Sequence, residues 1–171
     1  MGNRAIDIKD SLNTQRLELT RLKDEHAAFM YELVNTEDWI KNIGNRNIHS
    51  VKDAKKYVSN LISNPDFHIW VVKQSEDGQY CGIITYLKKE YLDYPDIGFA
   101  FLPLYFGKGY AFEATKEVIS MLKKCNIKNI SAVTVKENNR SIQLLEKLGF
   151  KQTKTIINNG EELFYFLYTV E

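Results

Sequence analysis

The sequence predicts an α/β fold of the α+β type, in which a mixed sheet carries helices on its faces. Apolar residues alternate along some segments, as in strands, and recur with helical spacing along others. These segments follow one another in the order βααβββαβαββ. The 171 residues contain no repeat and no linker. We therefore expect one domain spanning residues 1–171, with residues 1–13 as an N-terminal extension.

The first predicted elements are a strand and two helices. The segment RLELTRL, residues 16–22, alternates apolar and polar side chains, which is typical of a strand. The next segment, KDEHAAFMYELVN, has its apolar residues at helical spacing. A second helix is predicted over residues 50–63, with Ser50 as its N-cap. Residues 39–49 between the helices are polar and rich in turn formers, so we expect them to be irregular.

The middle of the chain predicts a hairpin and a further strand. The apolar runs HIWVVKQ and YCGIITYLKKEY are separated by SEDG, a combination that indicates a β-hairpin. The segment PDIGFAFLP follows as a short strand that ends at Pro103.

The last third predicts two helices and three strands. A long helical pattern follows Gly109 and ends at Lys123 and Lys124, where cations suit the helix dipole. NISAVTV is typical of a buried strand, and NNRSIQLLEKLGF of a short helix that Gly149 terminates. The final twenty residues predict a hairpin that turns at the Asn-Gly pair of NNG.

The bulk composition excludes several classes of partner. A net charge of +1 argues against a nucleic-acid or anionic-membrane surface as the main partner. No apolar run is long enough for a membrane span, and the N-terminal residues lack the apolar core of a secretory signal. Cys81 and Cys125 have no metal-ligand spacing, so we expect two reduced thiols and a cytoplasmic location. No bound metal is expected, because His, Cys and carboxylates do not cluster along the chain.

The segment FGKGYAFEATKEVISMLKK places Gly107 and Gly109 at the start of a helix, directly after a strand. The first N–H groups of a helix have no internal partner and carry the positive end of its dipole. Without β-carbons in the way, a phosphate can approach them closely, so the segment is a candidate anion site; a plain tight turn is the alternative. The P-loop pattern does not fit, because no Ser or Thr follows Lys108. The dinucleotide pattern fails because Phe112 stands in place of its third glycine.

The segment LPLYFGKGYAFEA resembles the acetyl-coenzyme-A (acetyl-CoA) loop of the GCN5-related N-acetyltransferases (GNAT). It is most similar to the branch that acetylates ribosomal-protein N-termini (Rim-type). TQRLELTRL, DIGFAF and NNRSIQLLEKLGF resemble three further segments of that branch in order and spacing. The resemblance implies the GNAT fold, a mostly antiparallel sheet of about seven strands flanked by about four helices. It also implies a transfer of acetyl from acetyl-CoA to an amine.

The resemblance implies a role for each matching residue. Backbone groups of Phe101 and Leu102 would pair with the pantetheine arm, Asn138 would hydrogen-bond it, and Ser141 would lie near the thioester sulfur. The diphosphate would be held by the N–H groups around Gly107, Lys108, Gly109, Tyr110 and Ala111.

Two positions depart from the family's pattern. Leu104 stands where many relatives have Gln or Arg, and Leu145 stands where many carry a tyrosine acid. The second departure makes Ser141 the candidate donor to the leaving thiolate, since it lies one helical turn before Leu145. It also leaves a non-catalytic acetyl-CoA-binding module as an alternative to an active enzyme.

The candidate general base is Asp96 at the start of the DIGFAF strand, ahead of Glu161 and Glu162 in the final hairpin. The acceptor stays open at this point. Acidic residues near Asp96 suit a peptide N-terminal α-amine, a polyamine or an aminoglycoside equally, and the oligomeric state is monomer or homodimer.

Overall fold

The computed structural model describes residues 7–170, which form an eight-stranded sheet and five helices. The strands are β1 (Ser11–Asn13), β2 (Leu17–Arg21), β3 (Phe67–Gln74), β4 (Tyr80–Leu87), β5 (Asp96–Phe101), β6 (Asn129–Val135), β7 (Lys151–Asn158) and β8 (Glu161–Thr169). The helices are α1 (Ala27–Val34), α2 (Glu37–Asn42), α3 (Val51–Ser63), α4 (Tyr110–Lys124) and α5 (Asn139–Leu148).

The strands lie in the order β1-β2-β3-β4-β5-β6-β8-β7. Neighbours are antiparallel except for β5 and β6, which are parallel. The predicted fold class, a mixed and mostly antiparallel sheet flanked by helices, is therefore confirmed.

Helices cover both faces of this sheet. Four consecutive residues of β3, from Ile69 to Val72, are buried, and successive side chains of a strand point to opposite faces. Helix α1 packs against α3, while α4 packs against β4 and β5. The apolar core between these layers includes Trp70, Phe166 and Met30, which are fully buried.

Capping and turn residues begin or end helices and strands at the positions that the sequence predicts. Ser50 caps α3 by accepting a hydrogen bond from the Asp53 N–H at 3.1 Å. Gly149 ends α5 with φ 98°, in the left-handed region. The turn between β7 and β8 has positive φ at Asn159 and Gly160, 50° and 81°, as the tight hairpin turn requires.

The structure adds one strand and one helix that the sequence analysis did not predict. Strand β1 pairs with β2, so residues 11–13 belong to the sheet and not to an extension. Residues 1–6 of the predicted extension lie outside the described residues. Helix α2 occupies part of the segment predicted to be irregular, and Thr36 caps it by accepting from the Trp39 N–H at 3.3 Å. The assignment of the whole chain to one domain stays a prediction.

Candidate active site

Strands β5 and β6 diverge after a single paired position, and a cleft opens between them. Asp96 lies opposite Ser131, and the Ser131 N–H donates to the Pro95 carbonyl at 3.0 Å. Further along, β5 stays paired with β4 and β6 with β8. The cleft has a volume of about 540 Å³ and is lined by residues 97–100 of β5 and 132–135 of β6. Each diverging strand therefore keeps one edge without a strand partner.

The glycine-rich loop lies beyond the carboxyl end of β5. Gly107 and Gly109 have φ 74° and 79°, a region that glycine adopts without steric cost. Gly109 is the N-cap of α4, and within residues 7–170 no side chain accepts from the first N–H groups of the helix. A β-carbon at Gly107 would meet no atom within 4 Å. The loop thus presents unpaired N–H groups to open space at the positive end of the α4 dipole, which suits an anion.

Arg140 connects this loop to the cleft. Its guanidinium lies 3.8 Å from the centroid of the Phe106 ring, next to the first loop glycine. The same guanidinium forms an ion pair with the Asp38 carboxylate at 3.1 Å, and Asp38 lines the cleft. The start of α5, the glycine loop and α2 therefore meet around one side chain. Parallel strands bring their carboxyl ends to the same edge of a sheet, which explains why the loop and α5 are neighbours.

Helix α5 and its N-cap contribute three residues to the cleft: Asn138, Ser141 and Leu145. The Asn138 Oδ1 accepts from the Ser141 N–H at 3.2 Å, so Asn138 is the N-cap of the helix. The Asn138 Nδ2 donates to the Ser141 Oγ at 2.8 Å. The Ser141 hydroxyl consequently receives a hydrogen bond and keeps its own hydrogen available. Leu145 is buried on the same face, as the one-turn spacing predicts.

Asp96 lies at the point of divergence, with 4% of its surface exposed. Its Oδ2 accepts from the Lys89 Nζ at 3.2 Å, and its Oδ1 lies 3.0 Å from the same nitrogen without an aligned hydrogen bond. Burial raises the pKa of the Asp96 carboxyl above its ordinary value, and the Lys89 ammonium opposes that rise. A buried carboxylate that faces the cleft is suited to accept a proton from a bound ligand.

The opposite side of the cleft is formed by α2, the loop after it, α3, the loop after β4 and the β7–β8 turn. Its polar and charged side chains are Asp38, Asn42, Arg46, Lys89, Asn158, Asn159 and Glu161. Aromatic and aliphatic side chains cover the rest, among them Trp39, Tyr57, Leu61 and Tyr91. Asp38 and Asp96 are both paired with cations, so little uncompensated negative charge faces this space.

Some candidates from the sequence lie elsewhere. Glu161 lines the cleft, but Glu162 pairs with Lys136 at 3.3 Å outside it. The Leu102 N–H donates to the Cys81 carbonyl, and the Leu102 carbonyl accepts from the Tyr105 N–H, each at 2.9 Å. Leu102 therefore has no free N–H with which to pair a ligand. Phe101 is buried opposite Gly82 of β4, at the loop end of β5.

Sequence reasoning missed Trp39, Arg46 and Lys89, which line the cleft from three separate segments. Only Trp39 had a local signal, because Thr36 followed by two acidic residues is typical of a helix N-terminus. No pattern in the sequence connects Lys89 with Asp96, since the loop that separates them must fold back first.

A family model described as the acetyltransferase (GNAT) domain matches residues 16–151. The chain therefore belongs to the GNAT acetyltransferase family, in which dependence on acetyl-CoA is general. Among curated proteins, it is 26% identical over 155 residues to the uncharacterized N-acetyltransferase YnaD of Bacillus subtilis, which covers 88% of this chain and 90% of that protein.

Solved structures share the fold at low sequence identity. RimL, a ribosomal L7/L12 alpha-N-protein acetyltransferase in complex with coenzyme A, has a TM-score of 0.79 at 14% identity, over 95% of this chain and 97% of that one. A chimera of the spermidine N-acetyltransferase SpeG from Vibrio cholerae has a TM-score of 0.74 at 16% identity, over 90% and 95% of the two chains. Since both enzymes share the fold, the likeness does not select an acceptor.

Residues 7–170 contain no group of three or more His, Cys, Asp or Glu side chains that could hold a metal ion. Within the same range, no helix is long and apolar enough to cross a membrane.

Proposed function

We propose that this protein is an N-acetyltransferase that transfers an acetyl group from acetyl-CoA to a primary amine, with a peptide N-terminal α-amine as the first candidate acceptor. The observation that carries the proposal is the divergence of β5 and β6, together with the N-terminus of α4, whose Gly109 cap provides no side-chain acceptor for the first N–H groups. Family membership supports the reaction type. Family membership does not extend to three points, which are part of the proposal: the peptide acceptor, the residue roles and the cytoplasmic location.

The cleft and the loop fit the two halves of coenzyme A. Its pantetheine arm is an extended chain with amide groups, and an extended chain can pair with the free edge of a strand. Residues 97–100 line the cleft and, with Phe101, offer such an edge on β5. The N–H groups of residues 107–111 would hold the diphosphate at the positive end of α4.

Ser141 is the proposed donor to the sulfur of the leaving thiolate. Asn138 fixes the hydroxyl by donating to its oxygen, which leaves the Ser141 hydrogen free to point into the cleft. A thiol has a pKa of about 8.5, so a thiolate is a tolerable leaving group near neutral pH. One neutral hydrogen-bond donor is then enough to stabilise the growing charge. The reaction therefore does not require an acid at the position of Leu145.

Asp96 is the proposed general base. It lies at the single position where β5 pairs with β6, and it lines the space that an acceptor must enter. It would accept the proton of the attacking amine directly or through a water molecule. Glu161, which lines the same cleft on the hairpin side, is the second candidate for this role.

The charges of the cleft favour a monocationic acceptor over a polycation. The lining carboxylates are Asp38, Asp96 and Glu161, and the first two already have cationic partners. Arg46 adds a further positive charge to the same wall. Polyamines and aminoglycosides carry several positive charges and would need several unpaired carboxylates here. A peptide α-amine carries a single charge, and with a pKa of about 8 it is already partly neutral.

A thiol-release assay with acetyl-CoA tests the proposal. Dipeptides, polyamines and aminoglycosides are compared side by side, and each product is verified by mass spectrometry. We expect turnover with dipeptides at the lowest acceptor concentrations. Faster turnover of a polyamine or an aminoglycoside would replace the proposed acceptor. Binding of acetyl-CoA without turnover of any amine would instead favour the non-catalytic module.

A further inference from the structure

The first turn of α4 contains a carboxylate, Glu113, directly after the glycine loop. Its Oε1 accepts from the Thr14 hydroxyl at 2.6 Å and from the Arg16 N–H at 2.9 Å. Its Oε2 accepts from the Arg16 Nε, and the Arg16 Nη2 lies 2.7 Å from the same oxygen. We call Thr14, Arg16 and Glu113 the loop brace, because they join the start of β2 to the start of α4.

Arg16 also reaches the loop itself. Its Nη1 donates to the Lys108 carbonyl at 3.0 Å, and its guanidinium lies 4.7 Å from the centroid of the Tyr110 ring. A trans peptide is planar, with its C=O and N–H on opposite sides. By fixing the Lys108 carbonyl toward itself, Arg16 turns the Gly109 N–H away from the brace. That direction is where an anion can reach the amide.

The brace also determines the net charge at the N-terminus of α4. An unpaired carboxylate in the first turn stabilises the helix but repels a diphosphate at the same N-terminus. Burial acts to raise the pKa of Glu113, but hydrogen bonds from Thr14 and Arg16 outweigh it and lower the pKa overall. Glu113 is therefore ionised at neutral pH, and the guanidinium of Arg16 compensates its charge.

We propose that Arg16 is a positioning residue for coenzyme A: it orients the Lys108–Gly109 peptide and compensates the charge of Glu113, so that the loop accepts the diphosphate. This inference rests on the proposed function, because it requires the coenzyme to bind at residues 107–111.

Calorimetry with coenzyme A and with pantetheine, which lacks the diphosphate, separates this role from a general effect on the fold. Arg16→Gln removes the positive charge and the hydrogen-bond donors of the guanidinium. We expect coenzyme A to bind roughly 10- to 100-fold more weakly, because that is the range for losing a charge-assisted hydrogen bond. Pantetheine affinity stays unchanged. In steady-state assays KM for acetyl-CoA rises while kcat changes little, because the interaction is uniform along the reaction.

Arg21→Gln is the matched control, since Arg21 ends β2, the strand that begins directly after Arg16, and pairs with Asp10 at 3.1 Å. It should leave both affinities unchanged. If Arg16→Gln does not fold, Arg16→Lys decides the question: it keeps the charge but cannot hold Glu113 and Lys108 together, so coenzyme A should bind more weakly than to wild type.

Unchanged coenzyme A affinity in the folded Arg16 variant would overturn the inference and leave the proposed function standing. Equal losses for coenzyme A and pantetheine would overturn it too. Failure of the wild-type protein to bind coenzyme A would instead overturn the proposed function itself.

Discussion

Replacing Ser141 by alanine tests whether a neutral hydroxyl serves as the donor to the leaving thiolate. The hydrogen-bond directions in this group are fixed by its chemistry. The Ser141 N–H can only donate, so the Asn138 Oδ1 faces it, and the Asn138 Nδ2 must then face the Ser141 Oγ. The hydroxyl accepts from the amide and has its hydrogen free for a second partner. Alanine removes that hydrogen and leaves the N-cap intact.

We expect Ser141→Ala to lower kcat strongly and the stability of the fold only slightly. Removing one well-aimed donor from a developing anion costs roughly 10²- to 10³-fold in kcat. The lost hydrogen bond from Asn138 costs about 1 kcal/mol. For a protein of this size, that lowers the melting temperature by about 2–4 °C. Coenzyme A affinity should change little, because the proposed hydrogen bond from Ser141 strengthens only as charge grows on the leaving sulfur.

Asn138→Asp provides a second variant with the serine still present. Aspartate caps helices as well as asparagine does, so the variant should fold with α5 intact. A carboxylate cannot donate, however, so the Ser141 hydroxyl would turn its hydrogen toward the introduced group. We expect kcat to fall as it does in Ser141→Ala, although the hydroxyl remains.

Single-turnover measurements of thiol release at saturating acetyl-CoA isolate the chemical step, and calorimetry reports coenzyme affinity. A near-normal kcat in Ser141→Ala would refute the donor role. A normal kcat in Asn138→Asp alone would refute the proposed use of the free hydrogen. Tyr110 is a poor replacement donor, because its hydroxyl already donates to the Gln74 Oε1 at 2.9 Å.

Three further predictions follow from the geometry. Gly109→Val places a branched side chain at φ 79°, so it should weaken coenzyme A binding in calorimetry, and unchanged affinity would contradict the loop site. Asp96→Asn should lower kcat/KM by roughly 10²- to 10⁴-fold at neutral pH. Burial raises the folded-state pKa of Asp96, so its contribution to stability declines as pH rises from the ordinary value through the raised one. In urea titrations at a series of pH values, the free energy of unfolding should therefore fall less steeply with pH for Asp96→Asn than for wild type over that range. Parallel pH dependences of the two proteins would contradict this prediction. EDTA should leave activity unchanged, and loss that added zinc restores would contradict the metal-free assignment.

The strands and the longer helices could be predicted because their signals are local. The apolar runs of β3 and β4, the serine before α3 and the asparagine–glycine turn each act within a few residues. Strand β1 could not be predicted in this way, because three residues with one buried side chain carry no periodicity. Its pairing with β2 depends on tertiary contact.

The residues of the candidate site also fall into those with local sequence signals and those that depend on tertiary contact. The loop of residues 107–111 and the pair Asn138 and Ser141 lie in contiguous motifs, so they could be found in the sequence. The resemblance implies that backbone groups of Leu102 pair with the pantetheine arm, whereas its N–H donates to the Cys81 carbonyl of β4. Such occupancy depends on strand register, which no motif specifies. Lys89 was missed because only the folded loop brings it to Asp96.

The divergence of β5 and β6 also explains how this sheet tolerates an open edge at its centre. Buried backbone groups without partners are costly, so strands seldom separate inside a sheet. Here each diverging strand keeps an antiparallel neighbour on its other side, and the cleft is large enough for water to reach the unpaired edge. An extended ligand with amide groups replaces that water with little change in hydrogen bonding and gains the burial of its apolar atoms. Asp96 lies at the single position where β5 pairs with β6, so the backbone there has a strand neighbour on both sides. The cost of burying its charge is offset by Lys89 from a flanking loop.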